Sequence, residues 1–317
     1  MRQCAFLLTG VAAFLAACAD QPTRPKEPRA SASPATQGVV APAFTVTRRD
    51  LGTLGGRASR AIGTNDHGQV VGASLTSTGA RRAFRWTASG GMRALATLAG
   101  RNCQAYHVNE VGQAVGLCQN AAGQLRAVLW SPSGQVRGLG TLPGGRSSVA
   151  TDVNDNGVVV GYSTVRLSDG TLGSHPFRWT AAGGMRDLWP DLGLSVCGTL
   201  ETADARRVNR SGQVVGTLNR DVECGGTHTF AFRLSPGIGV DRAEEFASGA
   251  GIDDLGEIVG AIAVEDLLFA FRERSPGQPV GLPDLCDASD RECHSLASAI
   301  NSAGLVVGSS MTADHAH

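Results

Sequence analysis

NDNGVVVG, Asn154 to Gly161, lies within the longer phrase TDVNDNGVVVGY (Thr151–Tyr162) and can be read in two ways. Asp152, Asn154 and Asn156 alternate and Gly157 follows, which spells the first half of an EF-hand calcium loop. Such a loop lies between helices and ends on a bidentate glutamate at its twelfth position. Counted from Asp152, the twelfth residue is Ser163, and the flanks are β-branched. The other reading is a tight hairpin turn, in which asparagine caps the turn with its side chain and glycine takes a positive φ. Five sister phrases favour the turn: NDHGQVVG from Asn65, NEVGQAVG from Asn109, NRSGQVVG from Asn209, DDLGEIVG from Asp253 and NSAGLVVG from Asn301. None keeps the alternating ladder. The turn pairs are therefore Asn65 and Gly68, Asn109 and Gly112, Asn154 and Gly157, Asn209 and Gly212, Asp253 and Gly256, and Asn301 and Gly304. Neither a metal nor a cofactor is expected from them.

Successive copies begin 44, 45, 55, 44 and 48 residues apart. A period in the forties with strand chemistry marks a β-propeller or another closed β-repeat architecture. Each unit reads as four short strands. A small-residue segment such as RASRAIGTN leads to the turn, and a flat β-branched strand (QVVG) follows. The third strand is AFRW (Ala83–Trp86), AVLW (Ala127–Trp130), PFRW (Pro176–Trp179), AFRL (Ala231–Leu234) or AFRE (Ala270–Glu273). The fourth follows a glycine turn, as in GMRALATL from Gly91 or QVRGLGTL from Gln135. The expected fold is all-β, a propeller of about six four-stranded blades over residues 44–317. FTVTRRDLGTL (Phe44–Leu54) reads as a fourth strand with no blade before it. LASAINSAGLVVGSS (Leu296–Ser310) reads as a first and second strand with no third. The sixth blade is thus incomplete, and the sequence reads as truncated at its C-terminus.

DLGTLGG (Asp50–Gly56), the N-x-x-G hairpins and the A-F-R-W strands together resemble the HAF repeat family of bacterial extracellular proteins. The resemblance spans nearly all of residues 44–317 and implies an exported repeat protein. It carries no established activity to transfer. The chain departs from the pattern at Val128, at Asp253, along Val240–Ser248, and in the insertions Thr164–Ser174 and Leu192–Glu201.

The cysteines test the register. Cys103 and Cys118 lie equally far from the centre of the second hairpin, and Cys197 and Cys224 from the centre of the fourth. Antiparallel strands bring such residues face to face. Cys286 and Cys293 are left to close a short loop. The expected disulfides are 103–118, 197–224 and 286–293, the first closing a loop of about 15 residues worth about 3 kcal/mol in the chain-entropy model.

The N-terminus reads as an export signal, with Arg2 before a short apolar run and LAAC ending at Cys18. This resembles the lipobox of bacterial lipoproteins, which implies cleavage after residue 17 and lipidation of Cys18. Residues 18–43 are rich in Pro, Ala, Ser and Thr and read as a disordered tether. The expected location is exported and membrane-anchored, periplasmic or at the cell surface.

Formal net charge is zero, so nothing points to nucleic acid. There is no G-x-S-x-G, H-E-x-x-H or P-loop phrase. Asp284, Asp287, Asp290 and Glu292 cluster in one loop and are the leading candidates for a ligand contact. Arg85, Arg178, Arg233 and Arg272 recur at one strand position, where they bracket neighbouring blades or face solvent. Anchor, tether and repeats without catalytic residues point to a monomeric, non-enzymatic binding or scaffold module for an envelope protein or glycan. A polysaccharide-active hydrolase or lyase, with carboxylates drawn from several blades, is the first alternative. A structural spacer or adhesin is the second.

Overall fold

The computed structural model describes residues 48–99, 102–193, 201–221, 227–245, 247–264, 267–274, 278–282 and 294–311. Asp50–His317 forms one compact unit. Four antiparallel strands make the first blade: β1 (Gly55–Thr64), β2 (Val70–Thr76), β3 (Arg81–Thr87) and β4 (Gly91–Ala94). The second holds β5 (Cys103–Val108), β6 (Ala114–Gln119), β7 (Leu125–Trp130) and β8 (Val136–Gly140). The third holds β9 (Ser148–Val153), β10 (Val159–Arg166), β11 (Leu172–Thr180) and β12 (Gly184–Asp187). The fourth holds β13 (Glu201–Val208), β14 (Val214–Asp221), β15 (Thr227–Ser235) and β16 (Gly239–Glu245). The fifth holds β17 (Ala247–Ile252), β18 (Ile258–Val264), β19 (Leu267–Glu273) and β20 (Pro279–Gly281). β21 (His294–Ile300) and β22 (Val306–Met311) pair with each other. One parallel pairing, Ser174 with Thr202, joins the third and fourth sheets at an edge.

Each sheet is laid against the next, the second strand of one blade contacting the first strand of its successor. The apolar core is accordingly divided into seams between blades. Val71 and Ala83 of blade one pack with Ala105, Val108 and Trp130 of blade two. Val115 and Ala127 pack with Val153, Val159 and Phe177 of blade three. Val158, Val160 and Leu188 pack with Val208, Val214 and Phe232 of blade four, and the pattern continues through Val215 and Ile258 to Val259 and Ala297. This explains the β-branched second strand. Its side chains alternate between faces, so Val214 fills the seam behind the blade and Val215 the seam ahead. Face-packed, four-stranded antiparallel sheets repeated in chain order are a β-propeller.

The repeat's last glycine has a separate purpose. Gly161 lies directly opposite Phe177 on the third strand, as Gly72 does Phe84, Gly216 does Phe232 and Gly260 does Phe271. On its other side, every first strand carries a register shift, between Val160 and Gly161 in the third blade. The bulge pushes a first-strand carbonyl at the glycine. A Cβ on Gly161 would fall inside the envelope of the Val149 carbonyl oxygen.

The segment Phe44–Leu54 needs correction. Its described part, 48–53, forms no strand, and Leu54 makes one parallel bridge to Thr76 of its own first blade. Asp50 Oδ1 accepts from Gly52 N, and Gly52 and Gly55 take φ of 75° and 91°, which breaks an extended chain. Leu54 N then donates to Ser74 Oγ, just as Leu142 N donates to Ser163 Oγ two blades later. DLGTLGG is therefore the linker that docks onto a blade's second strand. The insertion Thr164–Ser174 lengthens the β10–β11 hairpin, with Arg166 paired to Leu172. Val240–Ser248, which departs from the repeat text, supplies most of β16, with a register shift between Arg233 and Leu234 on its partner β15.

Cys103 and Cys118 are direct partners across β5 and β6 and form a disulfide. Cys18, Cys197, Cys224, Cys286 and Cys293 lie outside the described residues, as do Asp284, Asp287, Asp290 and Glu292. Among the described residues no helix is long and apolar enough to cross a membrane.

Candidate functional site

All six turns have one geometry. In the third, Gly157 N donates to Asn154 O, Asn154 N to Val158 O, and Val158 N to Asn154 Oδ1. The six glycines have φ between 70° and 84°, a region that costs other residues energy. The asparagine does more than close its own turn. Asn65 Nδ2 donates to Asn109 O, Asn109 Nδ2 to Asn154 O, Asn154 Nδ2 to Asn209 O and Asn209 Nδ2 to Asp253 O, at 2.9, 2.9, 2.9 and 3.0 Å. One buried chain of side-chain bonds therefore ties five blades together. A second, outer row uses the residue after the asparagine. Glu110 accepts from Asp66 N, Asp155 from Glu110 N and Asp254 from Arg210 N.

These contacts account for the opening phrase. Asp152 accepts from Val208 N and faces His107, Asn154 reaches Asn209, and Asn156 reaches the Arg210 carbonyl. The three side chains serve three neighbours and do not converge.

The chain of asparagines ends at blade five. Asp253 Oδ1 accepts from Leu255 N and Glu257 N, the same pattern as Asn154 Oδ1 with Asn156 N and Val158 N. Asp253 Oδ2 occupies the place of the donor, is buried, and makes no hydrogen bond among the described residues. A buried acceptor without a donor is destabilising. Asp253→Asn would supply a donor aimed at the next blade, and thermal unfolding should show a gain of about 1 kcal/mol.

The recurring arginines also link blades. Arg85 Nη2 donates to Gly112 O at 2.7 Å and Nη1 to Pro132 O. Arg233 Nη1 donates to Gly256 O at 2.7 Å, and Arg272 Nη1 to Gly304 O at 3.2 Å while its other nitrogens hold Glu257. Each reaches the turn glycine of the next blade. Blade two has Leu129 at this position, packed into the seam to blade three.

Arg178 is the exception. The equivalent target is Gly212, yet among the described residues Arg178 makes no hydrogen bond, and its Nε is buried. A second departure sits beside it. Blades one, two and four carry Gln69, Gln113 and Gln213 directly after the turn glycine. A Cβ on the next blade's Gly112, Gly157 or Gly256 would lie 3.4, 3.8 and 2.9 Å from those glutamine Oε1 atoms, so each glutamine covers its neighbour's turn. Blade three has Val158 instead. It is buried in the core seam, and a Cβ on Gly212 would meet only Pro236, at 3.5 Å.

A cleft of about 470 Å3 lies beside these departures, between blades three and four. Arg178 and Gly212 line it, Leu188, Val214 and Leu234 close it below, and the turn around Pro236 and Ile238 forms its rim. Ile238 is 76% exposed and presents its apolar side chain at that rim. On the opposite rim Arg186 pairs with Asp191 at 2.7 Å. The volume lies within the range of small-molecule sites, and the lining joins an apolar floor to Arg178 and the Arg186–Asp191 pair. A second hollow of about 250 Å3 runs along β1 and β2.

Of the residues singled out from sequence, only Arg178 and Gly212 line this cleft. Val158, Arg186 and Asp191 escaped notice, although valine in a glutamine position was visible in the repeat alignment.

No protein-family model and no curated protein sequence matches the chain. Among solved structures, it is similar to puromycin hydrolase, with 13% identity over 82% of this chain and a TM-score of 0.48. The chain spans 46% of that protein's length. It is also similar to a gluconolactonase from Xanthomonas campestris (16% identity, 80% of this chain and 84% of the other, TM-score 0.39). A third likeness is the six-bladed β-propeller lectin of Aleuria aurantia (13% identity, 80% and 88% covered, TM-score 0.35).

Proposed function

We propose that this chain is an exported, lipid-anchored propeller that binds a glycan of the cell envelope in the cleft between blades three and four, and is not an enzyme. The cleft beside Arg178 and Gly212 carries the reading. A repeat that covers the next turn with glutamine in three blades carries valine in blade three, beside an arginine with no hydrogen-bond partner among the described residues. The carboxylates on this face support binding over acid–base catalysis. Glu110, Asp155, Asp254 and Asp191 are each engaged by a neighbouring backbone N–H or an arginine. The export-signal, Cys18 lipobox and tether readings of the sequence support a location outside the cell.

The test restores the repeat. Val158→Gln should close the cleft and weaken binding of envelope oligosaccharides to the full chain by at least tenfold in calorimetry. The melting temperature should stay near that of the parent, because the same residue is accommodated in three sister blades. Ile238→Asp, at the exposed rim, should weaken binding without any folding risk. If both variants bind as the parent does, the site is elsewhere. Release of shortened products from the oligosaccharides would instead favour a hydrolase or lyase.

A further inference from the structure

We propose that the cleft selects an acidic sugar, a uronate-type ring whose carboxylate sits on the Arg178 guanidinium. This rests on the binding reading above and names the chemistry of its ligand. Three features carry it.

The first is the unmatched cation. In the sister blades the arginine is neutralised in part by carbonyl dipoles of the next turn, Gly112 and Pro132 for Arg85, or by Glu257 for Arg272. Among the described residues Arg178 has neither a carbonyl nor a carboxylate as partner. A guanidinium presents several donors in one plane, and a carboxylate matches that fork with two acceptors. A neutral hydroxyl satisfies the fork poorly.

The second is the set of carbonyls left behind. Gly112 O, Gly256 O and Gly304 O each receive an arginine, whereas Gly212 O does not. The turn at Pro236 stands where Pro132 stands in blade two, and Pro132 O is also an arginine acceptor there. These carbonyls can accept from sugar hydroxyls that enter the cleft from outside. The ligand therefore combines an anion for Arg178 with hydroxyls for the turn.

The third is the floor. Leu188, Val214 and Leu234 are 3%, 2% and 5% exposed and offer a small apolar base rather than an aromatic shelf. That base suits the C–H face of a saturated ring. Arg186 and Asp191 pair with each other at 2.7 Å on the rim, which leaves Arg178 as the unpaired charge in the lining.

The test uses the full chain with three probes: D-glucuronate, D-glucose and acetate. The Nε–Hε signal of Arg178 is followed in a 15N-labelled sample and assigned by its loss in Arg178→Lys. Glucuronate should shift that signal and bind at least tenfold more tightly than glucose or acetate, with an affinity that falls as salt is raised. Arg178→Met should bring glucuronate down to the level of glucose while leaving the melting temperature unchanged, since the side chain makes no hydrogen bond to lose. Equal binding of glucose and glucuronate would overturn the role of the carboxylate. Equal binding of acetate and glucuronate would overturn the sugar and leave a simple anion site. If envelope oligosaccharides bind and Val158→Gln abolishes that binding, but none of the three probes moves the Arg178 signal, the acidic-sugar assignment fails and the cleft stands. If Val158→Gln and Ile238→Asp bind as the parent does, the cleft itself fails.

Discussion

Gly161→Ala is expected to cost roughly 3 kcal/mol or more in thermal unfolding, out of proportion to one methyl group. A Cβ at this position meets backbone on the bulged first strand, the Val149 carbonyl oxygen and the Ala150 Cα at 2.9 Å. Backbone cannot rotate away as a side chain can. The bulge would have to unwind, and with it the pairing that sets Asp152 opposite Val160. On the third-strand side the glycine faces Phe177, which is fully buried, so relaxation in that direction is blocked too. For a domain of this size the melting temperature should fall by roughly 6–12 °C. Gly281→Ala is the control. It lies on an exposed edge strand with nothing near its would-be Cβ, and should change stability by less than about 0.5 kcal/mol. A Gly161→Ala protein that melts within a degree or two of the parent would show that the bulge is soft.

Asn154→Ala should be of similar severity, about 3 kcal/mol, by another route. The side chain is 6% exposed and makes three bonds. Its Oδ1 accepts from Asn156 N at 3.1 Å and Val158 N at 3.0 Å, and its Nδ2 donates to Asn209 O at 2.9 Å. Alanine strands two donors in the turn and one acceptor in the next blade, and stranded buried groups cost more than the bonds were worth. Asn154→Asp separates the two tasks. It keeps the Oδ1 acceptor but sets oxygen against the Asn209 carbonyl, so its stability should fall between the parent and Asn154→Ala. Equal losses in both variants would mean that the cross-blade bond carries everything. No loss in Asn154→Asp would mean that it carries nothing.

The repeat turn was legible because its residues answer to local rules: a capping asparagine and a left-handed glycine are demanded within five residues. The strand order followed from it, and the Cys103–Cys118 pairing is what mirror symmetry about the second turn anticipates. The third-blade bulge was not legible, since β9 (SVATDV) has no proline or glycine to announce it. The linker was misread for a related reason. Leu139–Leu142 is half strand and half linker, because β8 stops at Gly140, so the similar text in Asp50–Leu54 promised a strand that its described residues do not form. The site was half visible. Arg178 stood out by recurrence, but its lack of a partner depends on Gly212, which lies in another blade. Val158 is a good strand residue and looks harmless until the glutamine it replaces is seen covering a neighbour.

The asparagine chain has one further consequence. Each link runs from a side chain in one unit to the main chain of the next, so it makes no demand on what side chain the next unit carries. Asp253 accepts the bond from Asn209 as well as an asparagine would, although it cannot pass one on. A unit inserted by gene duplication would dock on either neighbour without matching mutations in them, whereas a propeller riveted by paired side chains would need both faces of the joint to change together. The same indifference lets a single blade drift in composition, as the third has at Val158, and acquire an opening while its neighbours stay shut.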